Sequence, residues 1–415
     1  MIAEHLQEWR LCHVNSEFQI CSSYPPVFCV PKGIEDRTVI EACSFRQGGR
    51  LPILSYLHKG KACLLRASQP MIGPQMRRNK ADERILSAAL STHSQGQRGY
   101  IVDTRTQSAA VASRSRGGGI EMETFYPQWR RMHKGIEKKA GLMDSLNKLV
   151  EACNDVNCSS DKWLSRLESS GWMSYIEDVL MTACLVAQCL EVEGASVLVH
   201  GTEGTDSTLL VTSLVQIILN QPSRTIRGFQ ALVEMEWILG GHPFRLRHCK
   251  FVYAPSSGKA KASSPVFLAF LDCVWQIMQQ FPTAFEFTED FLLTLLDHSY
   301  ASQFGTFLAN SPRERTTLNL SDRTGSLWSH LSSPRLVQEV ANPLYVPQEG
   351  PIWPSVAPVT LELCSAIFLR WIREPTPQKE ALRAVHDLKK KEDELRLKAQ
   401  TLRETLTHKY SECAG

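Results

Sequence analysis

A short segment in the middle of the chain, residues 197–208, constrains the fold more than any other. It reads Val-Leu-Val-His-Gly-Thr-Glu-Gly-Thr-Asp-Ser-Thr, and the apolar run 209–219 follows it directly. The pattern predicts a buried strand, then a tight polar turn, then a core helix with Asp206 at its positive end. Such a turn gathers backbone N–H groups that can hold the oxygens of a phosphate. The segment therefore predicts an α/β fold with an oxyanion-type loop at a strand end.

The flanking regions supply the other elements of such a fold. Residues 1 to about 110 contain short apolar runs separated by turns, which predicts strands, most clearly at 61–66 and 99–103. From about 142 to 190 the apolar residues recur with the period of a helix, which predicts helices that pack on the sheet. The same periodicity predicts later helices at 229–239, 266–278 and 289–300.

The composition is typical of a soluble globular protein, and we expect neither a metal nor a cofactor. Of 415 residues, 43% are hydrophobic and 21% charged, and the net charge of +3 argues against a dedicated nucleic-acid binder. The first ten residues lack the apolar run of a signal peptide, and the apolar stretch 179–190 is too short to span a bilayer. The 13 cysteines lack the spacing of common zinc sites. We therefore expect a reduced, cytoplasmic protein.

A proline-rich stretch, residues 334–377, separates the main body of the chain from its tail. It holds eight of the 21 prolines, and because proline resists helix interiors we expect this stretch to run extended. Trp353, Phe368 and Trp371 within it indicate that it packs against the domain.

The tail, residues 378–410, has the pattern of a coiled-coil helix. It contains no Pro or Gly, and its apolar residues form a heptad seam that Ala399 continues and Glu392 interrupts. A lone helix cannot bury such a seam, so we expect it to bind another helix. The residues predicted to bind this partner are Val385, Leu388, Leu395, Leu402 and Leu406. The alternative is an amphipathic helix that packs on its own domain.

The central loop resembles the catalytic loop of the myotubularin family of phosphoinositide 3-phosphatases. Active members read V-H-C-S-D-G-W-D-R-T, where the Cys is the nucleophile and the Arg closes the loop on the phosphate. Aligned from Val199, the nucleophile position is Gly201 and the Arg position is Ser207. The residues that correspond to the family's catalytic loop are His200, Gly201, Thr202, Glu203, Gly204, Thr205, Asp206, Ser207 and Thr208.

Further matches to the family are dispersed over residues 9 to 372. They are Trp9-Arg10, Asn15, Tyr24-Pro25, Phe45-Arg46, Gly49-Arg50-Leu51-Pro52, Arg66-Ala-Ser-Gln-Pro70, Gly117-Gly-Gly-x-Glu121, Tyr126, Trp163-Leu164, Glu168 and Ser326-Leu-Trp328. The loop that begins His-Gly rather than His-Cys is similar to that of the catalytically inactive branch.

The resemblance implies a domain organisation. A cysteine-phosphatase-like central sheet flanked by helices would occupy residues 1–377, and the coiled-coil helix residues 378–410. Family members usually begin with a lipid-binding module of the PH-GRAM type. This chain starts where the phosphatase domain would start, so we expect that module to be missing.

The altered loop is expected to be catalytically inactive. Hydrolysis of a phosphate monoester needs very large transition-state stabilisation, which these enzymes obtain from a thiolate nucleophile and a bidentate Arg. Gly201 has no side chain to attack with, and Ser207 is short and neutral. Asp206, at the position of the family's proposed general acid, would have no phosphocysteine leaving group to protonate. A replacement hydroxyl would need His200 as its base, and we expect His200 to orient the loop instead.

Phosphate binding without turnover is a separate question. Glu203 and Asp206 lie at the loop without the Arg of the active pattern, so we expect them to repel a phosphate. Basic residues elsewhere are expected to be solvated surface charges, and a membrane-facing patch is the alternative. These residues are Arg77, Arg78, Lys80, Arg245, Arg247 and Lys250.

The family resemblance implies a regulatory pseudophosphatase. Inactive myotubularins bind active relatives, stabilise or activate them, and target them to membranes that carry phosphatidylinositol 3-phosphate and 3,5-bisphosphate. We therefore expect the tail to form a heterodimer with an active myotubularin, with a homodimer as the other option, and a peripheral association with endomembranes. The alternative function is a stand-alone phosphoinositide-binding module, and a third hypothesis is an enzyme with a relocated nucleophile.

Overall fold

A five-stranded mixed sheet forms the centre of the domain and confirms the predicted α/β class. The structure, a computed structural model, describes residues 8–59, 62–92, 98–137, 139–155, 157–249, 262–370 and 377–413. The strands are β1 (Trp9–Cys12), β2 (Phe28–Pro31), β3 (Ile53–His58), β4 (Ala62–Ser68), β5 (Gly99–Asp103), β6 (Trp129–His133) and β7 (Ser196–Gly201). The order in the sheet is β3-β4-β7-β5-β6, in which β3 is antiparallel to β4 and the other four strands are parallel. β1 and β2 form a separate antiparallel pair.

The order of the strands places β7 at the centre and brings four strand ends to one edge. All six residues of β7 are buried, because β4 and β5 pair with it on either side. Ser68 pairs with Gly201, and Asp103 pairs with His200. The segments that leave β4, β5, β6 and β7 therefore meet where ligands bind in open parallel sheets.

Helices cover the sheet and extend the domain. They are α1 (Asp36–Cys43), α2 (Lys80–Ser91), α3 (Gln107–Ala112), α4 (Lys139–Asn154), α5 (Ser160–Ser170), α6 (Trp172–Glu191), α7 (Ser207–Leu219), α8 (Ile226–Leu232), α9 (Phe244–Arg247), α10 (Val266–Gln280), α11 (Glu289–Tyr300), α12 (Pro312–Thr317), α13 (Leu320–Arg323), α14 (Leu327–Leu331), α15 (Pro334–Val340), α16 (Ser365–Phe368) and α17 (Pro377–Cys413). Short 3-10 turns lie at Gln47–Gly49, Ser113–Arg116, Gln221–Arg224 and Pro358–Thr360.

The two faces of the sheet contribute to different apolar clusters. Leu64, Val197 and Val199 face the cluster that contains α6, α7 and α10, whereas Leu65 and Leu198 face the cluster that contains α2. This burial on both faces explains why β7 reads as a continuous apolar run.

The long apolar helix α6 packs inside the domain. Among the described helices it is the one whose length and composition would allow it to cross a membrane, and the stretch 179–190 lies within it. Eleven of its residues are buried in the core. Length and composition of this kind are also those of a core helix in a soluble domain.

The structure corrects two predictions about local conformation. The extended stretch predicted for 334–377 is wrong at α15, where Pro334 occupies the first turn, the position at which its missing N–H matters least. It is also wrong at the 3-10 turn Pro358–Thr360 and at α16. The helix predicted at 229–239 is present, but α8 continues into a π-helical segment, Val233–Ile238. Trp371 lies outside the described residues.

The tail forms the 37-residue helix α17, and its seam is uncovered over the described side chains. Residues 387–405 are all exposed, with exposed fractions of 67% for Leu388, 57% for Leu395 and 63% for Leu402. Val385 is half-buried, and the side chain of Leu406 lies outside the described residues. Lys389 Nζ donates to the Pro343 carbonyl oxygen of the domain, but Leu388, Leu395 and Leu402 stay exposed. Along residues 387–405 the helix therefore does not bury its seam on its own domain, which was the alternative to partner binding.

Candidate functional site

The loop between β7 and α7 keeps a fixed backbone path because residues outside it hold it in place. Gly204 has φ +71°, and a Cβ atom there would lie 2.3 Å from the carbonyl oxygen of Ala67, so this position requires glycine. Arg50 is buried, and its Nη2 donates to the carbonyl oxygens of Gly204 at 2.7 Å and Gly240 at 3.0 Å. The sharp turn predicted from the sequence is thus anchored to β4 and to the segment before β3.

A carboxylate of the chain itself lies directly beside Gly201. A Cβ atom at Gly201 would lie 2.5 Å from Glu137 Oε2 and 2.5 Å from Thr104 Oγ1. Glu137 Oε2 also accepts a hydrogen bond from the Thr202 backbone N–H at 2.7 Å. The backbone N–H of Glu137 donates to the carbonyl oxygen of Thr104 at 2.9 Å, which fixes the approach of this segment after β6. Sequence reasoning missed Glu137, because nothing in its polar neighbourhood signals a contact with the loop.

The closing position of the loop is neutral. Ser207 is buried at the start of α7, and its Oγ lies 2.8 Å from Thr104 Oγ1, within hydrogen-bonding distance. The Ser207 hydroxyl is therefore paired with a residue at the end of a neighbouring strand. It supplies no positive charge toward the centre of the loop.

Asp206 has a cationic partner, contrary to our expectation. Arg247 donates to both carboxylate oxygens of Asp206, at 2.9 and 2.7 Å, and His242 Nδ1 lies 3.3 Å from Asp206 Oδ1. Burial raises the pKa of Asp206, but the hydrogen bonds from His242 and Arg247 outweigh it and hold the pKa well below its ordinary value. Arg247 is thus a buried partner rather than the predicted surface charge, and it also lies 3.7 Å from Glu203. The expectation that these two carboxylates lack a compensating Arg was wrong.

His200 belongs to a buried charged network behind the loop. Its Nε2 lies 3.1 Å from Glu121 Oε2, and Glu121 accepts from Arg46 at 2.6 Å. Arg46 also donates to both oxygens of Asp82, at 2.8 and 2.7 Å, and the hydroxyl of Tyr126 donates to Asp82. Burial raises the pKa of Glu121, but the charges of His200 and Arg46 outweigh it and keep the pKa well below its ordinary value. This placement makes His200 a residue that positions the strand end.

The dispersed sequence matches meet in this network and around it. Arg46, Glu121 and Tyr126 are far apart in the sequence, but Glu121 contacts both Arg46 and His200, and Tyr126 donates to Asp82, which Arg46 also binds. Arg105, immediately after β5, is buried and bonds both oxygens of Asp103 at 2.8 and 2.6 Å. Three buried guanidinium groups at this edge of the sheet, those of Arg46, Arg105 and Arg247, are therefore already paired with carboxylates.

Comparison with known proteins gives the family of this fold and site. Residues 1–316 match the model of the myotubularin-like phosphatase domain. The chain belongs to the myotubularin family. It is 51% identical over 406 residues to myotubularin-related protein 9 of Homo sapiens, an alignment that covers 98% of this chain and 73% of that protein. It is 42% identical over 407 residues to myotubularin-related protein 9 of Caenorhabditis elegans, with 96% of this chain and 71% of that protein covered.

A relative named for an enzymatic activity is also similar. The chain is 39% identical over 415 residues to phosphatidylinositol-3,5-bisphosphate 3-phosphatase MTMR2 of Gallus gallus, with 99% of this chain and 72% of that protein covered. This myotubularin domain thus carries a strand-to-helix loop with Gly201 at its start and Ser207 at its end. Among the described residues, no cluster of three His, Cys, Asp or Glu side chains could hold a metal.

His248, the residue that follows the short helix with Arg247, predicts that the stability of the domain depends on pH. Burial lowers the pKa of His248 to about 3, and the charge of His242 acts in the same direction. Because this folded-state pKa lies below the unfolded value of about 6.5, the unfolded chain binds more protons below pH 6.5. The contribution of the neutral His248 to the free energy of unfolding is complete above pH 6.5 and is lost as the pH falls. We expect the free energy of unfolding to decrease by about 2 kcal/mol between pH 7.5 and pH 5. Denaturant unfolding of His248→Phe should show a correspondingly weaker pH dependence than the native chain.

The exposed His13 offers a matched control for this measurement. A His13→Gln variant should keep the full pH dependence of the native chain. An unchanged dependence in His248→Phe would show that another group causes the acid lability.

Proposed function

We propose that this chain is a catalytically inactive myotubularin that binds and regulates an active member of the family. The observation that supports this most strongly is the nucleophile position, where Gly201 offers no sulfur and Glu137 Oε2 would lie 2.5 Å from any Cβ. A phosphatase of this architecture must form a phosphocysteine, and its catalytic groups act as a unit, so the loss of two removes nearly all activity. The neutral Ser207 in place of the phosphate-gripping Arg is the second loss.

The exposed seam of α17 supports the regulatory half of the proposal. Leucines that are more than half exposed on a long helix are unfavourable in water unless another surface covers them. An active myotubularin that acts on phosphatidylinositol 3-phosphate and 3,5-bisphosphate would be the partner, and binding would stabilise it by mass action and direct it to membranes. We place this complex on the cytoplasmic side of endomembranes, as a heterodimer.

Partner capture should depend on the seam and not on apolar exposure in general. The variant Leu395→Gln/Leu402→Gln removes two seam side chains, and we expect it to lose capture of a co-expressed active myotubularin by at least about tenfold. Leu397, which is 66% exposed on the same helix but lies off the seam, gives the control Leu397→Gln, which should bind normally. Deletion of residues 378–415 should abolish capture. Equal capture by all variants would show that the seam is not the interface.

Phosphate release from the pure chain tests the catalytic half. We expect no release from 3-phosphoinositides above background, with the captured complex as the positive control. Turnover by the chain free of active relatives would contradict the assignment. The alternative of a stand-alone lipid-binding module predicts salt-sensitive binding to vesicles that contain phosphatidylinositol 3-phosphate, whereas the Glu137 carboxylate at the loop disfavours such binding.

A further inference from the structure

We infer that the seam of α17 selects a partner helix with acidic flanks and rejects a second copy of this chain. The inference rests on the proposed function, because it gives the chemistry of the partner that binds the same surface. It is carried by the charges on either side of the exposed leucines.

The positions that flank the seam are almost uniformly basic. In the heptad that places Leu388, Leu395 and Leu402 at one core position, six side chains lie beside the core between residues 389 and 405. They are Lys389, Lys391, Arg396, Lys398, Arg403 and Thr405. All six are exposed, and five of the six are positively charged. Lys389 Nζ also donates to the Pro343 carbonyl oxygen of the same chain. We call these six residues the basic flanks.

The acidic residues between positions 387 and 405 lie elsewhere. Asp387, Asp393, Glu394 and Glu404 occupy the outer face, away from the seam. The exception is Glu392, which lies in the seam itself and forms an ion pair of 2.8 Å with Arg396 one turn later. Between residues 389 and 405 the helix therefore has basic flanks on both sides of its apolar face, with the one negative charge of Glu392 inside that face.

A second copy of this chain would meet like charges in either orientation. In a parallel pair Lys391 would face Arg396 of the other copy, and Lys398 would face Arg403. In an antiparallel pair each flank would face the same flank of the other helix, which is again basic. Two copies of Glu392 would also meet in a parallel core. Repulsion at several positions disfavours self-association, whereas Glu or Asp on a partner's flanks would form interhelical ion pairs.

Designed peptides test this selectivity with the full-length chain. Both peptides have about four heptads with Ile and Leu at the core positions and a Lys opposite Glu392, and they differ only in Glu or Lys on the flanks. At low salt we expect the acidic peptide to bind at least about tenfold more tightly than the basic one, and added salt to narrow the difference. The chain alone should sediment as a monomer.

Reversing the charge of the basic flanks should reverse which of the two peptides binds more tightly. The variant Lys391→Glu/Arg396→Glu/Lys398→Glu/Arg403→Glu should bind the basic peptide more tightly than the acidic one. The control Lys390→Glu/Gln400→Glu adds negative charge on the outer face and should keep the native preference. Circular dichroism verifies that each variant retains its helix content.

Two results would overturn the inference, and both are distinct from failure of the proposed function. Equal binding of the two peptides, or self-association that Leu395→Gln abolishes, would show that the flanks do not select the partner. The peptides carry no phosphatase, so peptide selectivity without any capture of an active myotubularin would support the inference and remove the proposed function instead.

Discussion

The Gly201→Cys/Ser207→Arg variant is expected to remain inactive toward 3-phosphoinositides, although it introduces the two side chains that the proposed function counts as lost. A Cβ at position 201 would lie 2.5 Å from both Glu137 Oε2 and Thr104 Oγ1, closer than real Cβ contacts come. The Glu137 carboxylate would also oppose a thiolate at position 201 and the incoming phosphate, since all three carry negative charge. We expect phosphate release from this variant to equal that of the native chain.

Removal of the blocking carboxylate should change this result. Adding Glu137→Ala to the double variant removes one of the two close side-chain atoms and its negative charge, and leaves the Thr104 hydroxyl in place. We expect phosphate release at least about tenfold above that of the double variant. Full activity is not expected, since Glu203 and Thr205 also depart from the active pattern. Glu123 is exposed, so Glu123→Ala in the same double variant is the matched control and should have no effect. Phosphate release by the double variant itself would show that the Glu137 side chain moves aside for the new side chain at position 201.

The variant Arg46→Leu is expected to destabilise the domain by about 3–5 kcal/mol. Arg46 is fully buried and binds the carboxylates of both Asp82 and Glu121, so its loss removes a cationic partner from two buried negative charges. Such a change is a large part of the stability of a typical domain, and much of the protein should be insoluble or unfolded at 37 °C. Denaturant unfolding at neutral pH measures the loss.

An exposed arginine provides the control for this experiment. Arg37 is 87% exposed and pairs with Glu41 on the surface of α1, so Arg37→Leu should cost less than about 1 kcal/mol. Similar losses in the two variants would show that the buried network contributes no more than a surface ion pair.

The strand, loop and helix at the centre were predictable because local patterns determine them. The apolar run that ends at His200 and the apolar run after Asp206 specify a buried strand and a core helix without knowledge of the other contacts. The helix Glu289–Tyr300 was predicted to the residue for the same reason. The seam of α17 was also predictable, but only the structure shows that Leu388, Leu395 and Leu402 stay exposed rather than pack on their own domain.

The charged partners at the loop were not predictable. Glu137 follows a short strand in a polar stretch, and Arg247 lies in a basic one, so each reads as a solvated side chain. Their contacts with the loop depend on how β6 and α9 are placed by the rest of the fold. Sequence patterns report burial of apolar residues well, but they carry little information on which distant charges meet.

The residues that hold the central loop are not the residues that would do chemistry in it. Gly204 fits against the Ala67 carbonyl, and Arg50 clamps the loop through backbone oxygens alone. These anchors remain satisfied whatever side chains occupy positions 201 and 207. Changes at positions 201 and 207 should therefore cost such a domain little folding free energy, and the loop should keep its backbone path whether or not the domain is an enzyme.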